Sequence, residues 1–340
     1  MGVKIRVGSW NVYNDAWHSL REAAEGISPA RFKSASRLRF LGERFKCTRF
    51  DVMCLQVGNV PMISHLQKHC AYNDLTLVAP PQSALTPNSN NCCVLITKKI
   101  ENQKFKLVAK KHFNLSEAVS THLVGCAHQG ESDIEDAFAK ELRMRNSSAT
   151  MLLLELPQTK IFLTVCNCHI HWDPAYADVK AFHSYFIVEE LSQFVRSALG
   201  WFPFVPQLLV GDFNSTPRLH SEGPPADGQL SGVYELITTG RLSTKHPHHP
   251  AQLRKDEAFL KYPDLCVDPF QSAFKEVNGA EPAFTNKTEA FSGCIDFIFF
   301  KGLIPLSAQT VPGDLGKGEV LPNGKIPSDH LLLVSEFFLV

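Results

Sequence analysis

The chain has 340 residues, of which 44% are hydrophobic, and its 34 Lys and Arg residues balance 34 Asp and Glu residues. A formal net charge of zero argues against a protein that coats duplex nucleic acid with a basic surface, so any such contact would be local. No apolar run reaches about 18 residues and no signal-peptide core is visible, so we expect neither a membrane span nor secretion. The ten cysteines form no C-x-x-C pair and fit buried thiols of a reducing compartment. This pattern predicts a cytoplasmic protein, with the nucleus as the alternative.

Strand-like runs recur along the chain and alternate in part with amphipathic helices. In chain order the predicted strands are Lys4–Val12, Phe50–Gln56, Asn91–Thr97, Lys104–Phe113, Ala149–Leu156, Lys160–His169, Gln207–Gly211, Cys294–Phe300 and Leu331–Leu339. The predicted helices are Arg31–Phe45, Pro61–His69 and Phe182–Leu199, with some helix around Ile134–Leu142 inside a polar insertion at 114–148. The hairpin-like spacing of 149–156 and 160–169 indicates a mixed sheet. Because no stretch is biased enough to be a linker, we expect one α/β domain over residues 1–340.

Several of these strands end or begin at a group of Asn, Asp or His residues, as a sheet does when its edge carries a polar site. These residues are Asn11, His169, Asp212, Asn214, Asp296, Asp329 and His330. Each alone has a plain structural explanation. Asp212, Asn214 and Asp329 suit turns or caps, whereas His169 suits a satisfied core histidine and Asp296 an exposed edge charge. The joint pattern favours a shared site.

The stretches around these residues resemble the endonuclease/exonuclease/phosphatase superfamily. The matching stretches are FDVMCLQ, NCHIHWDP, LLVGDFNSTP, SGVYELITTGRLSTKHP, EPAFTNKTEAFSGCIDFIFF and LPNGKIPSDHLLLVSEF, which together run nearly end to end. Within the superfamily, HWDP and TNKTEAFSG are similar to the carbon-catabolite-repressor-type deadenylases, which have nocturnin and the Angel proteins as relatives. The resemblance implies a four-layered α/β sandwich, with two mostly antiparallel mixed sheets packed face to face and helices outside.

The resemblance also implies a role for the matching residues in the in-line attack of water on a phosphodiester. Asp212 would activate the water and Asn214 would orient it. His169 and His330 would hold the oxygens of the scissile phosphate and neutralise developing charge. Asp296 would orient His330, as carboxylates commonly do for imidazoles.

The metal ligands implied by the resemblance are incomplete. Asn11 and Asp329 match two of them and would help to hold Mg²⁺ or Mn²⁺. The family's second strand ends Leu-Gln-Glu, with the Glu as a direct ligand, whereas Val57 occupies that position here. Valine offers no oxygen, so we expect weaker metal binding, since losing even a supporting residue costs about 10–100-fold. Three other residues are candidates for the missing oxygen: Asn59, Glu22 and Glu25.

Two further matches concern the substrate. Pro174, which ends HWDP, and Phe291 correspond to residues that sandwich a terminal adenine in the deadenylases, although a turn and core packing also explain them. They indicate single-stranded RNA with a poly(A) 3′ end as the partner. The leucine-rich repeats that dock some deadenylases onto their complex are absent, so the resemblance implies no such partnership.

Three functions are open from the sequence. The first is a metal-dependent 3′–5′ exoribonuclease of the poly(A)-shortening type, attenuated by Val57. The second is an inactive pseudo-nuclease that binds RNA or acts as a scaffold. The third is a 2′–5′ phosphodiesterase or a dinucleotide phosphatase.

Overall fold

Two six-stranded sheets form the centre of the protein. The computed structural model describes residues 2–12, 42–43, 49–57, 60–72, 75–81, 91–97, 105–122, 137–145, 147–157, 159–200, 204–219, 228–254, 262–313, 315–316, 318–323 and 325–340. The predicted helix Arg31–Phe45 lies almost entirely outside these residues, as do Asn59, Glu22 and Glu25.

The first sheet joins the two ends of the chain. Its strands are β1 (Val3–Asn11), β2 (Val52–Val57), β3 (Leu75–Val78), β4 (Asn91–Thr97), β15 (Ile304–Val311) and β16 (Leu332–Leu339), in the order β15-β16-β1-β2-β4-β3. β1 and β2 are parallel, and the other neighbours are antiparallel. The carboxyl ends of the two central strands therefore meet at one edge.

The second sheet repeats this plan with a parallel central pair. Its strands are β5 (Lys106–Asn114), β6 (Ser148–Leu156), β7 (Ile161–His169), β8 (Gln207–Asp212), β11 (Gln271–Ser272) and β14 (Asp296–Lys301), in the order β11-β14-β8-β7-β6-β5. Only β7 and β8 are parallel within it. Short ribbons pair β9 (Arg241–Leu242) with β10 (Leu265–Cys266) and β12 (Asn286–Lys287) with β13 (Ser292–Gly293).

Helices connect the strands and cover the sheets. They are α1 (Val60–Tyr72), α2 (Leu115–His122), α3 (Ala137–Met144), α4 (Ala177–Leu199), α5 (Gly232–Thr239), α6 (Pro250–Leu253) and α7 (Ala273–Asn278). A 3₁₀ turn, Pro174–Tyr176, precedes α4, and Asp173 caps it by accepting a hydrogen bond from the Ala175 amide at 2.9 Å. Within the described part of the chain, no helix combines the length and the apolar character needed to cross a bilayer.

Buried side chains lie in three layers between these elements. Apolar residues of both sheets, among them Val52, Val165 and Val210, fill the space where the sheets face each other. Met62 and Leu66 of α1 pack on the outer face of the first sheet, while α4 packs on the outer face of the second. This order of helix, sheet, sheet and helix confirms the predicted four-layered sandwich with mixed sheets.

Several elements were not predicted, namely the strands β3, β9–β13 and β15 and the helices α2, α5, α6 and α7. The strand β15 was missed because it is a half-exposed edge strand that carries Pro305 and a bulge, so its alternation is weak. Helix α2 occupies the start of the insertion that was read as polar, and α5 lies in the family-like stretch that was given no structure. Helix α4 also begins five residues before the predicted Phe182.

A buried amide joins the two sheets beneath the polar edge. The Asn167 side chain on β7 donates to the Leu55 carbonyl at 3.0 Å and to the Cys93 carbonyl at 2.9 Å, both on the first sheet. Its oxygen accepts from the Gln56 side chain at 2.7 Å. Asn167 is fully buried, and hydrogen bonds in such surroundings are expensive to leave unmade.

We therefore expect Asn167→Leu to lower the free energy of unfolding by about 2–5 kcal/mol, because two carbonyls and the Gln56 amide lose their partner. Urea unfolding followed by circular dichroism measures this. The control Gln309→Leu, on an exposed strand position, should change it by less than about 0.5 kcal/mol. Equal effects of the two substitutions would contradict the role of Asn167.

Candidate active site

Strand register brings the predicted site residues together. Asn11 ends β1, while His169 and Asp212 end the parallel strands β7 and β8, where they lie opposite each other. Asp296 starts β14 and pairs with Asp212, because those strands are antiparallel. His330 precedes β16, whose start lies beside the end of β1.

Asp212 lies at the centre of this group. Its side chain accepts hydrogen bonds from the Asn11 amide and the Asn214 backbone, both at 2.8 Å. His169 Nε2 is 3.5 Å and His330 Nε2 is 3.8 Å from its Oδ2. Burial raises the pKa of Asp212 to about 7, and Asp296 adds to this, whereas His330 and the Asn11 hydrogen bond oppose it. Such a carboxylate can accept a proton near neutral pH.

His330 is held as a cation by the surrounding carboxylates. Its Nδ1 lies 2.8 Å from Asp296 Oδ2, and its Nε2 lies 3.9 Å from Asp329 Oδ1. Burial alone would lower the pKa of His330, but Asp296, Asp329 and Asp212 outweigh burial and raise that pKa to about 10. The imidazolium therefore persists at neutral pH and can donate to an anion.

Thr285 supports this pair and was missed from the sequence. Its hydroxyl donates to Asp296 Oδ2 at 2.6 Å and accepts from the Asp296 and Ile295 amides at 3.0 Å. The residue is fully buried, and its carbonyl accepts from the Leu331 amide at 2.7 Å. Its place at the start of the TNKT sequence was the available signal. Thr285 thus fixes the carboxylate that orients His330.

His169 has the opposite charge state. Burial, followed by repulsion from His330 and His171, lowers the pKa of His169 to about 3. Its Nδ1 is buried and has no hydrogen-bond partner among the described residues. One neutral and one cationic imidazole therefore lie near the same oxygen of Asp212.

The Gly-Asp-Phe-Asn turn depends on its first and last residues. A side chain at Gly211 would place its Cβ 2.0 Å from the Cys168 carbonyl of the neighbouring strand, so only glycine fits. Asn214 has φ +46°, a left-handed conformation that asparagine tolerates. Its side chain donates to the Ile170 carbonyl at 2.8 Å, which joins this turn to the loop after His169.

The two predicted base-binding residues lie on loops beside this turn. Pro174 is exposed at the start of the 3₁₀ turn. Phe291 is partly exposed between β12 and β13, and its ring leaves no room for a side chain at Gly293, since a Cβ there would lie 2.7 Å from it. Both positions are accessible to a substrate, and their adenine-stacking role stays a prediction.

The donor set suits a hard divalent cation. Asp212, Asp296 and His330 offer ligand atoms within 4.8 Å of one another, but the protonated His330 is a poor ligand. Asp296 Oδ1 is buried and has no hydrogen-bond partner among the described residues. Several buried carboxylates and the Asn11 amide therefore share one region, and a cation would relieve their mutual repulsion.

The chain is similar in sequence to fungal exoribonuclease subunits. No protein-family model matches the chain. It is 24% identical to the Ccr4-Not complex 3′-5′-exoribonuclease subunit Ccr4 of Aspergillus fumigatus over 98% of the chain and 51% of the relative. It is 30% identical to Ccr4 of Schizosaccharomyces pombe over 57% of the chain and 29% of the relative. The chain thus spans about half the length, or less, of these curated relatives.

Solved structures share the fold over the whole chain. ANGEL2, a 2′,3′-cyclic phosphatase crystallised with adenosine-2′,3′-vanadate, has a TM-score of 0.70 at 19% identity, covering 99% of this chain and 96% of its own. The human nocturnin catalytic domain with bound sulfate has a TM-score of 0.59 at 19% identity, covering 98% and 93%. The chain thus shares the fold of ANGEL2 and nocturnin and is similar in sequence to Ccr4 over nearly its whole length, which agrees with its resemblance to the endonuclease/exonuclease/phosphatase superfamily.

Proposed function

We propose that the protein is a metal-dependent hydrolase of phosphodiester bonds that removes nucleotides from the 3′ end of RNA, with poly(A) as the preferred tail. The observation that carries this proposal is the buried contact of Asp212 with one cationic and one neutral imidazole. A base beside two phosphate-binding groups is the set that in-line water attack requires. The similarity to Ccr4 supports RNA as the substrate class.

The residues divide the reaction between them. Asp212 accepts the proton of the attacking water, and the Asn214 side chain, fixed on the Ile170 carbonyl, orients that water. His330, held by Asp296, donates to a phosphate oxygen and neutralises developing charge. The neutral His169 donates from Nε2 to a second oxygen.

Asn11 and Asp329 would hold the divalent cation at this edge of the pocket. When bound, the cation acts as a Lewis acid on the phosphoryl oxygens. Pro174 and Phe291 would hold the terminal base, because stacking is worth about 1–3 kcal/mol per base. The likeness to the ANGEL2 2′,3′-cyclic phosphatase supports including 2′,3′-cyclic phosphates among the substrates to be compared.

A second candidate function follows from Val57. Without the carboxylate at the end of β2, the protein would bind RNA ends without cleaving them, as a pseudo-nuclease. Both candidates share the RNA partner and differ in turnover.

Asp212→Asn should lower the rate of oligoadenylate shortening by about 10²–10⁴-fold, because the amide cannot accept the proton from water. Gel electrophoresis of 5′-labelled RNA with an oligo(A) tail, in millimolar Mg²⁺ or Mn²⁺, measures the rate. Comparison with oligo(U), 2′–5′ oligoadenylate, 2′,3′-cyclic phosphate ends and NADP(H) measures substrate preference. The control Asp264→Asn, in an exposed ion pair with Arg241, should leave the rate unchanged. A wild type that is as silent as Asp212→Asn on every substrate would refute the hydrolase proposal.

Val57→Glu should lower the Mg²⁺ concentration for half-maximal activity by about tenfold or more, because it restores a ligand carboxylate. The matched control is Val57→Gln, which has the same length without the charge. Calorimetric titration with Mg²⁺ checks the affinity independently of turnover. Activity that arises only in Val57→Glu would favour the pseudo-nuclease, and an unchanged affinity would indicate that another residue already supplies the ligand.

Asp296→Asn should lower the pKa of His330 from about 10, because the carboxylate that stabilises the imidazolium is removed. Two-dimensional NMR of the imidazole carbons against pH measures the titration. In the wild type, the His330 signal should stay in its protonated position from pH 6 to above pH 8. The control Asp173→Asn, outside the His330 cluster, should leave this titration in place, and titration of wild-type His330 near its ordinary pKa of about 6.5 would contradict the assignment.

A further inference from the structure

A buried lysine lies directly behind the candidate active site. Lys180 is in the first turn of α4 and is 4% exposed. Lysine is seldom fully buried, and the start of a helix disfavours a positive charge. Burial lowers the pKa of Lys180 to about 8, although Asp212 and Asp173 partly counteract it. Burial and the position at the start of a helix both disfavour the charged lysine, so we expect other interactions to stabilise its ammonium group.

The ammonium group joins the two loops that carry the reaction. Lys180 Nζ donates to the Asn214 carbonyl at 2.7 Å and to the Trp172 carbonyl at 3.3 Å. Trp172 follows His169 by three residues, and Asn214 follows Asp212 by two. The lysine therefore bridges the loop of the neutral imidazole and the loop of the proposed base.

The Asn214 end of this bridge is the more demanding one. Asn214 holds a left-handed backbone conformation, and its amide donates to Asp212 Oδ1 at 2.8 Å. Turning the Asn214 peptide would remove that hydrogen bond and move the side chain that orients the water. A charged donor on the Asn214 carbonyl opposes such a turn more strongly than a neutral donor does.

We propose that Lys180 is a positioning residue for the hydrolysis: its ammonium group locks the Trp172 and Asn214 carbonyls, and so fixes the spacing of His169 and Asp212. This inference rests on the proposed function and adds a residue that does not touch the substrate. Apolar filling of the same space would satisfy packing but neither carbonyl. The role therefore predicts a loss of turnover without a matching loss of stability.

Lys180→Met removes the charge and the donors while keeping the length of the side chain. We expect kcat on oligoadenylate-tailed RNA to fall by about tenfold or more, with KM changed by less than about threefold, because misplaced groups lower turnover. Lys180→Arg, which keeps the charge and the donors, should recover most of that kcat. The melting temperature of Lys180→Met should stay within about 3 °C of the wild type, since a buried charge is removed with the hydrogen bonds.

Hydrogen exchange measured by mass spectrometry gives a readout that does not need activity. Exchange should rise in residues 170–176 and 212–216 of Lys180→Met and stay unchanged elsewhere. The matched control is Lys111→Met, which removes a lysine that contacts the same helix through Glu190 from the exposed strand β5. It should change neither kcat nor exchange in these two segments.

Each outcome decides the inference. A rise in exchange confined to residues 170–176 and 212–216 together with a fall in kcat supports the inference, whereas unchanged exchange in these segments, or a rise with unchanged kcat, overturns it. A general rise in exchange with a lower melting temperature also overturns it, because the lysine would then only stabilise the fold. If wild-type protein cleaves no RNA, the proposed function fails, while the exchange of the two segments still tests whether Lys180 locks the loops.

Discussion

The amide of Asn167 fixes the two sheets to each other at the level where their polar edges begin. It spans from β7 to the backbones of β2 and β4, and it also holds Gln56, the residue before Val57. Apolar contacts between sheets are not directional, so they define the alignment of the sheets less sharply than hydrogen bonds do. The directional hydrogen bonds of Asn167 set the alignment of the two sheets, and this alignment positions the residues of the site above them. The relative placement of Asn11 and Asp212, which come from different sheets, depends on this constraint.

The two imidazoles of the site differ in charge because their neighbours differ. His330 has carboxylates on both of its ring nitrogens, and these outweigh the effect of burial on its pKa. Within the described part of the chain, His169 Nδ1 has no carboxylate partner, and the ring lies near the His330 cation, so burial lowers its pKa. Two residues of one type thus carry different charges for reasons that can be read from their neighbours. The same pocket can both donate strongly to a phosphate and keep Asp212 available as a base.

The sequence predicted a mixed α/β sheet and most of its strands because apolar runs of strand length were bounded by turn residues, whereas the sandwich arrangement followed from the family resemblance. It also placed Asn11, His169, Asp212, Asp296 and His330 at strand ends, where register brings them together. It missed Thr285, whose hydroxyl acts through a contact with a residue eleven positions away. Lys180 was missed for the same reason, since a lysine in a helix normally indicates a solvent-exposed face. Long-range partners, not local pattern, give these residues their roles. The roles of Pro174 and Phe291 stay predictions.

The division of the pocket between two sheets has an evolutionary consequence. Asn11 and Val57 lie on the first sheet, and His169 and Asp212 lie on the second, so under the proposed function the first sheet would hold the cation and the second would transfer the proton. A mutation at the end of β2 changes one half without altering the backbone that holds the other. Each half can therefore drift under separate selection, and a lineage can exchange its metal requirement or lose it while the acid–base half is inherited intact.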